Sequence, residues 1–124
     1  MKKVLTYGLF LLLFSLTSFA SVDEVLSAIK RGNASQLSKY FDNTIDITLT
    51  DKSNTYSKSQ AELVLKDFFA NNVVTSFEVV HKGDNTGSQY ITGTLETKNG
   101  GYRTTIYIKQ KGDKQLLQEL RFEK

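Results

Sequence analysis

From Val74 to Phe122 the chain carries four runs in which apolar or β-branched residues alternate with polar ones: Val74 to Lys82, Ser88 to Lys98, Tyr102 to Lys111 and Lys114 to Phe122. A period of two marks a half-buried strand. The segments between the runs, Gly83 to Gly87, Asn99-Gly100 and Gly112-Asp113, carry turn chemistry. Strands joined by tight turns run antiparallel, so this half of the chain is committed to one meandering sheet. Such a sheet has an apolar face that something must cover.

Side-chain alternation also fixes an expected register. A two-residue loop at Asn99-Gly100 sets Glu96 opposite Arg103, Leu95 opposite Thr104, Gly93 opposite Ile106 and Ile91 opposite Ile108. That arrangement puts a charge pair on one face and an apolar set on the other. At the next turn, a three-residue loop at Gly112 to Lys114 carries the inner face through Leu116, Gln118, Leu120 and Phe122. A two-residue loop instead aligns Ile108 with Leu117.

The cover for the apolar face lies upstream. Ser57 with Gln60 has capping-box spacing and opens a helix to Asn71, with Ala61, Val64, Leu65, Phe68 and Phe69 on one face and Glu62, Lys66 and Asp67 on the other. Burying each large apolar side chain is worth about 1.5–3 kcal/mol, which makes this helix the main plug of the core. Before it, Ile45, Ile47 and Leu49 alternate with polar residues in a strand from Thr44, followed by a turn at Asp51 to Asn54 and a short return strand at Asn54 to Tyr56. Earlier still, Ser21 with Glu24 caps a helix over Val22 to Arg31, which Gly32 ends. A second short helix runs from Ala34 to Tyr40 after an Asn33 or Ser35 cap. The fold class is α+β: two short helices and one long helix on a curved, mostly antiparallel sheet.

Residues 1–20 read as a secretory signal peptide. Lys2 and Lys3 precede an apolar run from Val4 to Leu16, and Ser18 and Ala20 give the small-x-small pattern for a cut between Ala20 and Ser21. The run is too short to cross a hydrocarbon core about 30 Å thick, which needs ~20 apolar residues, so no stable membrane anchor is expected after cleavage. Bacterial lipidation needs a cysteine at the cut, and the chain has none, so a lipoprotein is excluded. These features predict an exported protein, periplasmic or secreted, with a single domain over residues 21–124.

Removing Lys2 and Lys3 from the sixteen Lys and Arg leaves fourteen cations against thirteen acids, a net charge of +1. A near-neutral surface of mixed sign offers no footprint for nucleic acid or an anionic membrane. Without cysteine, packing and backbone hydrogen bonds must hold the domain unaided.

The element order resembles the nuclear transport factor 2-like superfamily, also called the cystatin-like cone. The resemblance is carried by the opening helices that end near Tyr40-Phe41-Asp42, the Thr44 to Leu49 strand, the Phe68-Phe69 helix and the closing Leu116-Leu117-Gln118-Glu119-Leu120-Arg121-Phe122 segment. Within that superfamily the chain is similar to a family of short exported bacterial proteins, domain of unknown function 4783. The resemblance implies a strongly bent sheet wrapped around the long helix, with a space between them that relatives use for catalysis, for ligands or as core.

Enzymes of this fold place a carboxylate in that space, often with His or Tyr. The lone histidine, His81, sits near a strand end beside Lys82 and reads as a surface residue. No catalytic, cofactor-binding or metal-binding residue is assigned, because one histidine and scattered carboxylates give no ligand spacing. Glu78, Glu96, Arg103, Glu119 and Arg121 fall on the outer parity, and Glu119 or Arg121 reaches the interior only in the alternative register. Tyr40, Phe41, Phe68, Phe69, Thr104 and Gln118 are expected to line the space and would suit a small apolar ligand. Tyr90, Tyr107 and Leu117 are expected to project from the outer face as a partner surface, a homodimer being the favoured partner. The Asn33-Ala34-Ser35 sequon is better explained as a helix cap. The sequence favours a non-catalytic exported module that binds a small apolar ligand or a protein. The alternatives are an isomerase- or lyase-type enzyme using a cavity carboxylate and a structural homodimerising envelope protein.

Overall fold

The computed structural model describes residues 21–124; the leader and the expected cut after Ala20 lie outside the described residues. Helix α1 (residues 21–30) already contains Ser21, which is therefore not its cap. The rest follows as α2 (Ala34–Ser38), β1 (Phe41–Leu49), β2 (Lys52–Ser57), α3 (Lys58–Asn71), β3 (Val74–Asn85), β4 (Ser88–Thr97), β5 (Gly100–Lys111) and β6 (Lys114–Glu123). The six strands form one sheet in the order β2-β1-β6-β5-β4-β3, in which only the β1–β6 pair is parallel.

Local chemistry sets the helical corner. At the end of α1 the Gly32 amide donates to the Ile29 carbonyl at 3.0 Å and the Asn33 amide to the Ala28 carbonyl at 2.9 Å, a Schellman closure. Gly32 takes φ +60, and a Cβ there would lie 3.3 Å from Val74 Cγ2. Asn33 then turns round and accepts from the Gln36 amide at 3.0 Å, so one residue ends α1 and caps α2. Ser57 caps α3 through the Gln60 amide at 3.4 Å.

One face of the sheet and the three helices enclose the core. Val25, Ala28 and Ile29 of α1, Leu37 of α2, and Ala61, Leu65, Phe68 and Phe69 of α3 meet Ile45, Ile47, Ile91, Leu95, Ile106, Ile108, Leu117, Leu120 and Phe122 of the sheet. Phe68 stacks on Phe122 with ring centroids 4.8 Å apart, and Tyr102 and Phe69 meet Phe68 edge-on at 5.3 and 5.5 Å. The Tyr102 hydroxyl donates to Asn72 Oδ1 at 2.8 Å, which ties β5 to the end of α3.

Three expectations about pairing are corrected. The β4–β5 loop is Lys98-Asn99, so Leu95 pairs with Tyr102, Gly93 with Thr104, Ile91 with Ile106, and Glu96 with Gly101 rather than Arg103. Thr97 Oγ1 closes this loop by accepting from the Asn99 amide at 3.1 Å and donating to the Gly100 carbonyl at 2.7 Å. A shift of two residues keeps every side chain on its expected face and removes the Glu96–Arg103 pair. The first turn is Thr50-Asp51, not Asp51 to Asn54: Leu49 pairs with Lys52, and Thr50 is held at φ 62 while its amide donates to the Phe122 carbonyl at 2.7 Å.

The third correction concerns β6. Its loop from β5 has two residues, with Lys111 opposite Lys114 and Ile108 opposite Leu117, but Tyr107 then faces Glu119, which leaves Gln118 as a β-bulge. The extra residue switches parity inside the strand, so Leu117 on one side of it and Leu120 and Phe122 on the other all point into the core. Leu117 is therefore a core residue and not part of an outer patch, and Gln118 leaves the interior.

Candidate functional site

The sequence singles out two groups of residues, one inside the cone and one outside. Inside, Phe41, Phe68, Phe69 and Thr104 are buried and brought together with Leu120 and Phe122. Phe68, Phe69 and Phe122 pack ring on ring between α3 and the sheet. Among the described residues the buried polar side chains are Ser38, Thr48, Thr97 and Thr104, none of them a carboxylate. Thr104 Oγ1 has no hydrogen-bond partner among these residues. Beside it Gly93 admits the ring of Phe77, since a Cβ at that position would stand 2.6 Å from the Glu78 carbonyl oxygen and 2.9 Å from the ring. Tyr40 is half-buried, with its hydroxyl on the Glu24 carboxylate.

Outside, Tyr90 and Tyr107 are direct cross-strand partners on the face away from the helices. Their ring centroids lie 4.6 Å apart at 39°, and Tyr90 is 49% exposed. They form one wall of a depression of about 360 Å³ completed by Asp42, Thr44, Asp46, Lys111, Gln118 and Glu119. The bulge explains how Gln118 comes to be there, because it turns the amide out of the core and onto β1, where Nε2 donates to Asp42 Oδ2 at 2.8 Å. Lys111 Nζ stands 2.7 Å from the same oxygen. The Lys111 ammonium, then Gln118 and the Asn43 amide, hold the Asp42 carboxyl down at about 2.

Next to this satisfied carboxylate stand two others. Asp46 and Glu119 are register partners across β1 and β6, and Asp46 accepts from the Thr55 hydroxyl at 2.6 Å. Neither has an ion-pair partner among the described residues. Like charges placed opposite one another on adjacent strands cost stability when nothing offsets them. With Asp42 matched by Lys111, the depression keeps an excess of two negative charges beside two aromatic rings.

Glu78, Glu96, Arg103, Glu119 and Arg121 all lie on this open face, as their parity predicts. His81 is there too, exposed and opposite Thr92. Among the described residues no three His, Cys, Asp or Glu side chains gather as a metal site would require. At the helical end of the molecule a second cleft of about 540 Å³ is bounded by Tyr40, Phe41, Lys39, Lys58 and the start of β6.

The sequence reading did not single out Asp42, Asp46 or Lys111. A signal for the bulge that gathers them was nevertheless present. Leu117 and Leu120 are three residues apart, a spacing that a regular strand puts on opposite faces, so burying both demands one extra residue between them.

A family model described as "Domain of unknown function (DUF4783)" matches residues 22–123. Crystal structures of DUF4783 family proteins from Bacteroides ovatus and Bacteroides uniformis are each 32% identical, cover 82% of this chain and 92% and 94% of their own, and superpose with a TM-score of 0.79. A putative dehydratase from the NTF2-like family of Streptomyces avermitilis shares the fold at 11% identity and a TM-score of 0.60, over 84% of this chain and 90% of its own. No curated protein matches the chain. With the family model spanning the helices and all six strands, the chain belongs to the DUF4783 family and carries the NTF2-like α+β fold.

Proposed function

We propose that this protein is an exported, non-catalytic binding module that meets a protein partner through the open face of its sheet around Tyr90 and Tyr107. The observation that carries this reading is the contrast between an interior closed by the Phe68–Phe122 stack and an outer face bearing an exposed, paired aromatic couple. Between α3 and the sheet a small apolar ligand would have to displace core side chains, whereas a partner on the open face displaces only water. The isomerase or lyase alternative needs a carboxylate in the interior, and the interior positions here hold apolar or hydroxyl side chains. The leader sequence supports export, with a cut that leaves Ser21 at the amino terminus.

The favoured partner is a second copy of the chain. Sedimentation of the protein isolated from cells expressing the full 124-residue chain tests this directly. The wild type should associate as concentration rises and Tyr107→Glu should not, because the substitution puts a further charge into an already negative patch. A monomer signal at every concentration for both proteins would remove the reading. N-terminal sequencing of the exported fraction should start at Ser21.

A further inference from the structure

The open face holds a second unmatched group besides its paired acids. Arg103 projects from β5 on that face, is exposed, and has no carboxylate within ion-pair distance among the described residues. Its register partners are Thr94 on β4, since the Lys98-Asn99 loop slides Glu96 away to Gly101, and Glu123 on β6, which is engaged by Arg121 at 3.4 Å. Arg103 and Tyr107 lie four residues apart on one strand, midway between them is Thr105, and Thr105 is flanked by Thr92 and Arg121.

This spacing is self-complementary under a two-fold axis. A two-fold axis running midway between two facing sheets, parallel to their plane and perpendicular to β5 above Thr105, sets β5 of one copy antiparallel over β5 of the other. It carries Arg103 of each copy to Tyr107 of its mate, beside Tyr90 and Glu119. A guanidinium stacks on aromatic faces and pairs with carboxylates, and the depression offers two rings with an uncompensated acid pair. Tyr107 and Glu119 are direct register partners, so one guanidinium can meet both.

We infer that Arg103 is the cationic anchor of a symmetric dimer, seated in each copy's Tyr90–Tyr107–Glu119 depression by the other copy. The inference rests on the reading that a second copy covers this face, and goes beyond it by fixing the axis, the strand order and the charge pair. The axis passes Thr92, Thr105 and Arg121, whose guanidinium is paired with Glu123 of its own chain at 3.4 Å, and the two Arg103 seats on either side set the register of one copy on the other.

Charge reversal tests it. Sedimentation equilibrium on the full-chain product should show Arg103→Glu and Glu119→Arg each weakening dimerisation by about tenfold or more. The double variant should recover to within about threefold of wild type. Recovery in the double variant is a result that misfolding cannot imitate. If the wild type dimerises but either single reversal leaves the constant unchanged, or the double variant fails to recover, the Arg103 seat is wrong and the broader reading survives. If the wild type stays monomeric at millimolar concentration, both fall.

Discussion

The two faces of this sheet are built from the same strands and differ in almost everything else. The helix-facing side is a closed aromatic and aliphatic stack in which Phe122 meets two other rings. The open side carries threonines, two tyrosines and charges, and its carboxylates are unequally served: Asp42 has three donors, while Asp46 and Glu119 face each other. The contrast teaches where selection for folding ends in this molecule. Packing accounts for the first face completely, and it gives no reason for the second to hold an exposed tyrosine pair beside unpaired acids.

Substitutions on the two faces should therefore diverge. Phe122→Ala removes the centre of the stack and should cost about 3–5 kcal/mol in urea unfolding, a large share of a small domain's stability, whereas Tyr107→Ala should stay within about 1 kcal/mol. Equal losses at the two positions would end the distinction. Gly93→Ala should cost about 1–3 kcal/mol, because the new methyl group meets the Glu78 carbonyl and the Phe77 ring. Finding it neutral would mean that the sheet flexes freely at this point.

Asp42 lies where the bulge joins the open face to β1, and its effect is pH-dependent. Its folded-state value of about 2 lies below the ordinary 3.8, so its contribution is fully present above pH 4 and is lost as pH falls through 2. With Lys111 half-exposed, Asp42→Asn should cost about 1–2 kcal/mol at pH 7, a cost that shrinks as pH falls below 4 and vanishes only below pH 2. A loss independent of pH would assign Asp42 a purely steric role. The smallest effect should be a gain: Thr104→Val replaces an unpartnered buried hydroxyl with a methyl group and should stabilise the protein by about 1 kcal/mol with an unchanged denaturant slope. Destabilisation would indicate a hidden partner for that hydroxyl.

How far the sequence alone leads can be judged strand by strand. The α3 plug, the four closing strands and the face of nearly every strand residue are legible, because periodicity fixes parity even when the pairing slides by two, as it does between β4 and β5. The Thr50-Asp51 turn is not, since a β-branched residue at positive φ contradicts local preference and is held by its amide bond to the end of β6. Nor is the depression, which draws on β1, β4, β5 and β6 and exists only because Gln118 bulges. Tyr90 and Tyr107 are visible as outer residues from alternation alone. Leu117 is misplaced for the same reason that Gln118 is, because a strand that changes parity midway defeats any argument from period.

Amide and side-chain chemical shifts followed by NMR from micromolar to millimolar protein would test most directly which face does the work. Concentration-dependent shifts should cluster at Tyr90, Thr92, Arg103, Thr105, Tyr107 and Glu119 and leave Leu65, Phe68 and Phe122 unmoved. Shifts centred on the helix-facing stack, or none anywhere, would contradict the assignment of the open face as the contact surface.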